Sequence, residues 1–412
     1  MRFLYNILTH IADFHLRIIG NFNHKLGLGV KGRKQTFYIL KSNISKDDQT
    51  IWFHCASLGE YEQGLPVFEE IKKKYPAHKI ILSFFSPSGY EIRKNSPIAD
   101  CVVYLPLDTA TNAKRFLDLI NPKLVVFVKY EIWPNYLREL QQRKIKSVLI
   151  SALFKKDQVF FKPQGAWMRK YLNAFNHIFV QNEPSLKLIQ KYGFNNVSIS
   201  GDTRFDRVSN QLNIDNTLSF ISEFKNNQLC VVAGSTWVEG EKLLVEYINN
   251  SSHKGLKFII APHNIKPKQI ERLKSSISKS VVLYSEKEDK SLSDFDVFIV
   301  DTIGILSKIY SYADIAYIGG GLGTSGLHNT LEPAVFGVPI IIGNHFKNFP
   351  EAYDMLDLGG LFSISDQGAF TNILNELILD ETKRKSAGKE NEAYIIKNQG
   401  AVAKITTYLS TN

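Results

Sequence analysis

IAYIGGGLGTSGLHNTLEPAVFGVPIIIG, from Ile315 to Gly343, joins two apolar runs through a glycine-rich turn and a polar cluster. The first run, Ile315 to Ile318, reads as a buried strand. Gly319 to Gly321 let the backbone approach a ligand closely, and His328, Asn329, Thr330 and Glu332 then add polar side chains. A helix predicted after them would offer free N–H groups and a positive dipole end to an anion. Glu332, near that helix start, suits a ribose or base hydrogen bond. The spacing is not the full dinucleotide fingerprint. A tight turn with a capped helix therefore explains the local sequence as well as a bound nucleotide phosphate does.

The same grammar recurs along the chain. LCVVAGS, LKFIIAP, VFIVDT, IAYIGG and VPIIIG form one series of strands, beginning at Leu229. IWFHCAS, KIILSFF, KLVVFVK, KSVLIS and HIFVQ form an earlier series from residue 51, each followed by helical sequence. Continuous apolar runs of this kind are typical of strands buried in a parallel sheet. Residues 207–227, polar and rich in Asn and Ser, are the linker candidate. The pattern predicts two α/β domains, each with a mainly parallel sheet. A length of 412 residues agrees, being too long for one ordinary core. From Asp380 the chain reads as helix with no strand of its own. Open parallel sheets bind ligands at the carboxyl ends of strands, and every polar cluster named below falls there. Two such domains facing each other would form a cleft, the donor held by one and the acceptor by the other.

The net charge of +10 favours acidic partners: nucleic acid, anionic lipid or a phosphorylated substrate. Without an arginine-rich arm or zinc spacing, nucleic acid is set aside. Cys55, Cys101 and Cys230 lie far apart in apolar stretches and read as buried thiols. No EF-hand loop, HExxH or paired Cys/His spacing is present, so no metal site and no cofactor are expected. MRFLYNILTHIADFHLRIIGNF, Met1 to Phe22, is apolar but broken by His10, Asp13, His15 and Arg17. That breaks the run of about 20 apolar residues a spanning helix needs, and no cleavable signal is recognisable. Phe3, Leu4, Ile7, Leu8, Ile11, Phe14 and Ile18 recur at helical spacing. They predict an amphipathic helix lying in a membrane interface. Arg2, Arg17, Lys25, Lys31, Arg33 and Lys34 would meet anionic head groups. A helix packed on its own domain is the alternative.

HCASLGEYEQG, His54 to Gly64, ends the first sheet strand, with Gly59 expected to give the turn and Glu60 at the start of a helix. An ordinary Glu, with a pKa of about 4.3, is charged but weakly basic at neutral pH. Glu60 thus reads either as a first-turn helix residue or as a proton acceptor strengthened by exclusion of water. VKYEIWPN, Val128 to Asn135, ends another strand, and Glu131 there suits a substrate contact or a strand-end ion pair. In GDTRFDR, Gly201 to Arg207, Arg204 suits a bidentate phosphate or carboxylate clamp, or a surface ion pair. GSTWVEGE, APHN (with His263) and DTIG (Asp301 to Gly304) repeat the strand-end pattern, and DTIG opens a predicted helix.

Taken in order, WFHCASLGEYEQG, VKYEIWPN, GDTRFDR, GSTWVEGE, APHN, DTIG and GLHNTLEPAVFGVP resemble the Kdo transferases. These are the lipid A 3-deoxy-D-manno-octulosonic acid transferases of Gram-negative bacteria, glycosyltransferase family 30. The resemblance spans nearly the whole chain and implies a GT-B fold: two Rossmann-like domains around a central cleft, with a C-terminal helix returning to the first. It implies CMP-Kdo as donor, lipid IVA as acceptor, and a place on the cytoplasmic face of the inner membrane. Residues 1–40 would be the membrane-associated segment, 41–210 the acceptor domain, and 211–412 the CMP-Kdo domain with the returning helix. Glu60 matches the family's general base, and Glu131 and Arg204 match residues that stabilise the transition state. Pro262 and His263, then Ile303, Gly304 and Ile305, then Asn329, Thr330, Leu331 and Glu332 match segments that bind CMP. The chain departs from the family pattern twice: APHN lacks the common Arg before its histidine, and Ile305 stands where Glu is common. Rival readings are another GT-B nucleotide-sugar transferase or epimerase, and a non-catalytic nucleotide-binding membrane protein. Oligomeric state is not legible.

Overall fold

The apolar runs pair into two parallel sheets. The computed structural model describes residues 1–411. In one sheet lie β1 (Thr50–Cys55), β2 (Lys79–Phe84), β3 (Cys101–Tyr104), β4 (Pro122–Val128), β5 (Lys146–Ala152), β6 (His177–Val180) and β7 (Val197–Ile199), in the order β3-β2-β1-β4-β5-β6-β7. In the other lie β8 (Leu229–Thr236), β9 (Leu256–Pro262), β10 (Val281–Leu283), β11 (Val297–Ile299), β12 (Ile315–Ile318), β13 (Ile340–Gly343) and β14 (Leu361–Ile364), in the order β10-β11-β9-β8-β12-β13-β14. All the pairings are parallel. The chain divides into two compact units, Met1–Arg207 with the segment from Gln399 onward, and Val208–Asn398.

Parallel strands need crossover connections, and helices on both faces bury the sheets. Every residue of β1 and the inner residues of β4 are therefore buried. Cys55, Cys101 and Cys230 are buried free thiols. The order of strands reverses between β1 and β4 in one sheet and between β8 and β12 in the other. At such a reversal the two flanking crossovers leave in opposite directions, which opens a crevice at the strand ends.

Several expectations change. The region read as a linker holds the end of a helix, Thr203–Asn210, and a further helix, Ser219–Lys225. Gly59 does not make a turn. It lies inside the helix α3, which spans Leu58–Lys74; a Cβ there would meet nothing within 4 Å. The C-terminal helix Ala401–Thr411 belongs to the first unit, where Ile405 and Leu409 are buried against β1 and α3 residues. Asp206 fixes its start by accepting from Gly400 N (2.9 Å) and Ala401 N (3.0 Å). One acidic residue of GDTRFDR is therefore a helix cap.

The first helix, α1 (Arg2–Ile19), is oriented unusually. It has no buried residue, and its apolar positions, Phe3 (79% exposed) and Phe14 (62%) among them, face outward. Its polar edge faces the domain instead. Tyr5 donates to Asp108 (2.8 Å) and packs tilted against Trp167, and Asn135 Nδ2 donates to Asn6 (2.9 Å). Asp108, almost fully buried, also accepts from Asn135 N and Tyr136 N, at 3.0 Å each, in the first turn of helix Pro134–Gln142. Among the described residues, no helix is long and apolar enough to cross a membrane.

Candidate active site

β1 and β4 are neighbours, and each delivers a carboxylate to the reversal point of the first sheet. After β1 the chain turns directly into α3, placing Glu60 in its first turn, 6% exposed. Its Oε2 accepts from Ala56 N. Burial, then the charge of Glu131, push the Glu60 carboxyl up to about 8, while the Ala56 N–H and Lys129 pull the other way. Glu60 is thus no ordinary glutamate. At pH 7 roughly one in ten such groups is ionised, and each ionised one is a far stronger base than a solvated carboxylate.

Glu131 is held by a chain of buried groups. Trp133 Nε1 lies 2.9 Å from Glu131 Oε2 and 3.1 Å from His54 Nε2, one N–H shared between two acceptors. His54, fully buried, therefore keeps its proton on Nδ1, which donates to Ser83 Oγ at 2.9 Å. Trp52 Nε1 donates to the same oxygen at 2.7 Å. Lys129, between β4 and Glu131, adopts a left-handed φ of 66° while its N–H bonds Ile150 O at 2.9 Å. Non-glycine residues held this way cluster at functional sites. None of this support was read from the sequence. Trp52, His54 and Trp133 stand near the glutamates in their motifs, but Ser83 reaches them only through the pairing of β1 with β2.

The glutamate coupling sets a pH dependence. We expect log kcat/KM to rise through about pH 8 as Glu60 ionises. Glu131→Gln removes the repelling charge, so Glu60 ionises more easily and the rising limb moves to lower pH. Full profiles of both proteins test this, and a limb that stays in place rejects the coupling.

Arg204 reads here as an ion pair: its Nε and Nη2 bind Asp202 Oδ2 at 2.9 and 2.8 Å, and its N–H reaches Asp202 Oδ1 at 3.0 Å. Asp202 is 8% exposed and also takes Gln63 Nε2 at 3.4 Å. The carboxylate thus fixes the direction of a guanidinium that stays partly accessible.

In the second unit, Pro262 ends β9 and His263 follows it, its N–H on Thr236 O at 2.9 Å and its ring stacked on Trp237 at 4.6 Å. Gly319 N bonds Gly234 O at 2.9 Å, lacing β12 to β8. Gly320 and Gly321 take φ of 80° and 72°. Asn329 Oδ1 accepts from Leu331 N and Asn329 Nδ2 donates to Glu332 Oε1, both at 3.1 Å. The expected helix starts are corrected. The helices after the glycine-rich segment and after DTIG are Leu331–Ala334 and Leu306–Ile309, a single turn each. So few aligned peptides make little dipole, and exposed loop N–H groups must serve an anion instead. The side chains of Thr330 and Leu331 are buried, Thr330 Oγ1 facing Met355 Sδ, so these two residues offer their backbone. Ile303 is 80% exposed and Gly304 has φ 91°. Among the described residues, no three His, Cys, Asp or Glu gather in a way that would hold a metal ion.

Two parallel sheets, each with its polar residues at the carboxyl edge and a C-terminal helix returned to the first unit, define a GT-B protein. UDP-GlcNAc 2-epimerase from Neisseria meningitidis shares this fold, with a TM-score of 0.63 at 14% identity over 88% of this chain and 100% of that one. Residues 28–207 match the family model described as 3-deoxy-D-manno-octulosonic-acid transferase (kdotransferase). The 3-deoxy-D-manno-octulosonic acid transferase of Haemophilus influenzae is 26% identical over 372 residues, covering 88% of this chain and 86% of its own length. That of Aquifex aeolicus is 26% identical over 357 residues, covering 85% and 92%. Over residues 28–207, and over most of its length at about a quarter identity, the chain is thus similar to the Kdo transferases.

Proposed function

We propose that the protein transfers Kdo from CMP-Kdo to lipid IVA, the tetra-acylated lipid A precursor, in lipopolysaccharide synthesis at the cytoplasmic face of the inner membrane. The observation that carries the chemistry is a buried, strongly basic Glu60 beside Glu131 at the reversal point of the first sheet. Ionised Glu60 takes the proton of an acceptor sugar hydroxyl. The oxygen so freed forms its bond to the anomeric carbon of Kdo as that carbon's bond to the phosphate oxygen breaks, and CMP departs with the electron pair. A single displacement inverts the anomeric configuration without a covalent sugar–enzyme intermediate. Glu131 stabilises the positive charge growing on the sugar ring, and Arg204, oriented by Asp202, meets the negative charge growing on phosphate. Pro262, His263, Ile303 to Ile305 and Asn329 to Glu332 hold the cytidine nucleotide. Ile305, standing where the family commonly has Glu, contributes through its backbone. Neither metal nor cofactor takes part.

The outward apolar face of α1 and the whole chain's net charge of +10 fit an anionic lipid surface. The lipid acceptor could then be reached with its acyl chains still in the bilayer. The protein is expected to bind anionic vesicles, less tightly as salt rises. Replacing both Ile7 and Phe14 by Glu should weaken that binding roughly a hundredfold or more, from two lost apolar contacts of about 1.5–3 kcal/mol each. Cosedimentation with vesicles reads it out, and unchanged binding would remove α1 from the membrane contact.

Incubation with CMP-Kdo and lipid IVA, followed by mass spectrometry of the lipid, tests the function. A mass gain of one or more Kdo units is expected. Kdo-free lipid IVA, with enzyme shown to bind CMP, would reject the acceptor.

A further inference from the structure

Three aromatic side chains meet where the second sheet reverses. Trp237 follows β8, His263 follows β9, and His328 ends the glycine-rich segment after β12; these strands lie side by side in the order β9-β8-β12. Trp237 Nε1 donates to His328 Nε2 at 2.9 Å, with the two rings only 20° apart in tilt. The pair is therefore joined edge to edge. The His263 ring stacks on Trp237 and lies tilted against His328, 4.6 Å from each. Indole N–H is only a donor, so Nε2 of His328 must be the acceptor and Nδ1 must carry the proton. Partial burial and the nearby His263 also hold the imidazole down to about 4, so it stays neutral at physiological pH. The His328 backbone is tied to the glycine turn, its N–H on Gly319 O at 3.2 Å. The ring is thus fixed at one end by Trp237 and at the other by the turn. Its remaining N–H is a neutral donor of set tautomer, at the sheet edge where the nucleotide is placed.

We propose that His328 Nδ1–H donates to a phosphate oxygen of the bound nucleotide, and that Trp237 is a positioning residue that selects the tautomer able to do so. The proposal rests on the nucleotide-sugar reading above and extends it to two residues outside the segments matched to CMP binding. A neutral donor suits a leaving phosphate, because it supports the growing charge while giving up no proton.

Amide side chains separate the two ring nitrogens. In His328→Asn the amide N–H stands near the Nδ1 position, whereas in His328→Gln the amide reaches the Nε2 position and keeps only the Trp237 bond. Both variants and the wild type are titrated calorimetrically with CMP and with cytidine. His328→Gln should weaken CMP about ten- to a hundredfold, the usual effect of a hydrogen bond to a charged group, and leave cytidine within about twofold. His328→Asn should keep most of the CMP affinity. Trp237→Phe, which retains a ring and loses the N–H, should weaken CMP less than His328→Gln and spare cytidine. Equal CMP binding by His328→Gln and wild type overturns the proposal. So does a parallel loss of CMP and cytidine in both histidine variants, which would mark a structural role. UMP and uridine, titrated alongside, keep the two ideas apart. A wild type that binds UMP but not CMP overturns the cytidine reading, and a His328→Gln loss confined to UMP over uridine would still support the phosphate contact.

Discussion

Glu60→Gln is expected to lower kcat by about 10²–10⁴-fold, the usual reach of general-base catalysis, while CMP binding is unchanged. The side chain keeps its size and one carbonyl oxygen for the Ala56 N–H, so packing at this 6%-exposed position should survive. Only the capacity of the carboxylate to accept a proton is lost. Stability offers an independent control. Because the folded-state value of Glu60 lies above that of an unfolded glutamate, its neutral form is the one the fold favours. That favourable contribution is fully present below the ordinary carboxylate pKa and is lost as pH rises through about 8. An uncharged Gln escapes the loss, so the Tm of the variant should gain on that of the wild type between pH 5 and pH 8.5. A slow variant that is also relatively stabilised at high pH fits a residue kept for chemistry at the expense of the fold. Near-normal turnover would remove Glu60 from the mechanism.

Gly320→Ala is expected to weaken CMP binding by at least about tenfold and leave the first unit untouched. Gly320 holds φ 80°, and a Cβ there would collide with the Gly326 carbonyl and its neighbours. Left-handed strain of about 1–3 kcal/mol, added to that collision, should open the turn that carries His328 and Asn329. Gly59→Ala is the matched control: its Cβ enters open space inside a helix, so binding and turnover should stay near wild type. If Gly320→Ala binds CMP as the wild type does, the glycine-rich turn does not shape the site.

How much of this was legible in the sequence follows from what each feature depends on. Every central strand is a continuous apolar run, because a strand covered on both faces must be apolar on both. β3, β7, β10 and β14 were not read, and all four are sheet edges of three or four residues. So short a run carries no periodicity, and only its neighbour makes it a strand. The helices expected after Gly304 and Thr330 are present, but that each is a single turn was not legible, since the loops that end them carry no periodic signal.

Glu60, Glu131, Arg204 and the glycine-rich segment were visible because each follows an apolar run, and strand ends are where a parallel sheet presents its ligands. Their chemical state was not visible. The rise of Glu60 to about 8 needs burial and the approach of Glu131 from a strand more than sixty residues away, which only β1–β4 pairing brings about. The pairing of Arg204 with Asp202, two residues before it, was open in the sequence to either outcome, and the local turn decided it. For α1 the apolar period fixed the amphipathic helix, but period alone cannot say which face turns inward. Tyr5 and Asn6 decided that by bonding to the Asp108 and Asn135 side chains, leaving the apolar face outside. Sequence thus determined the elements whose signal is local, the buried strands and the residues at their ends. Tertiary structure decided what depends on partners distant in the chain: the edges of the sheets, the basicity of the glutamate, the tautomer of His328 and the orientation of the first helix.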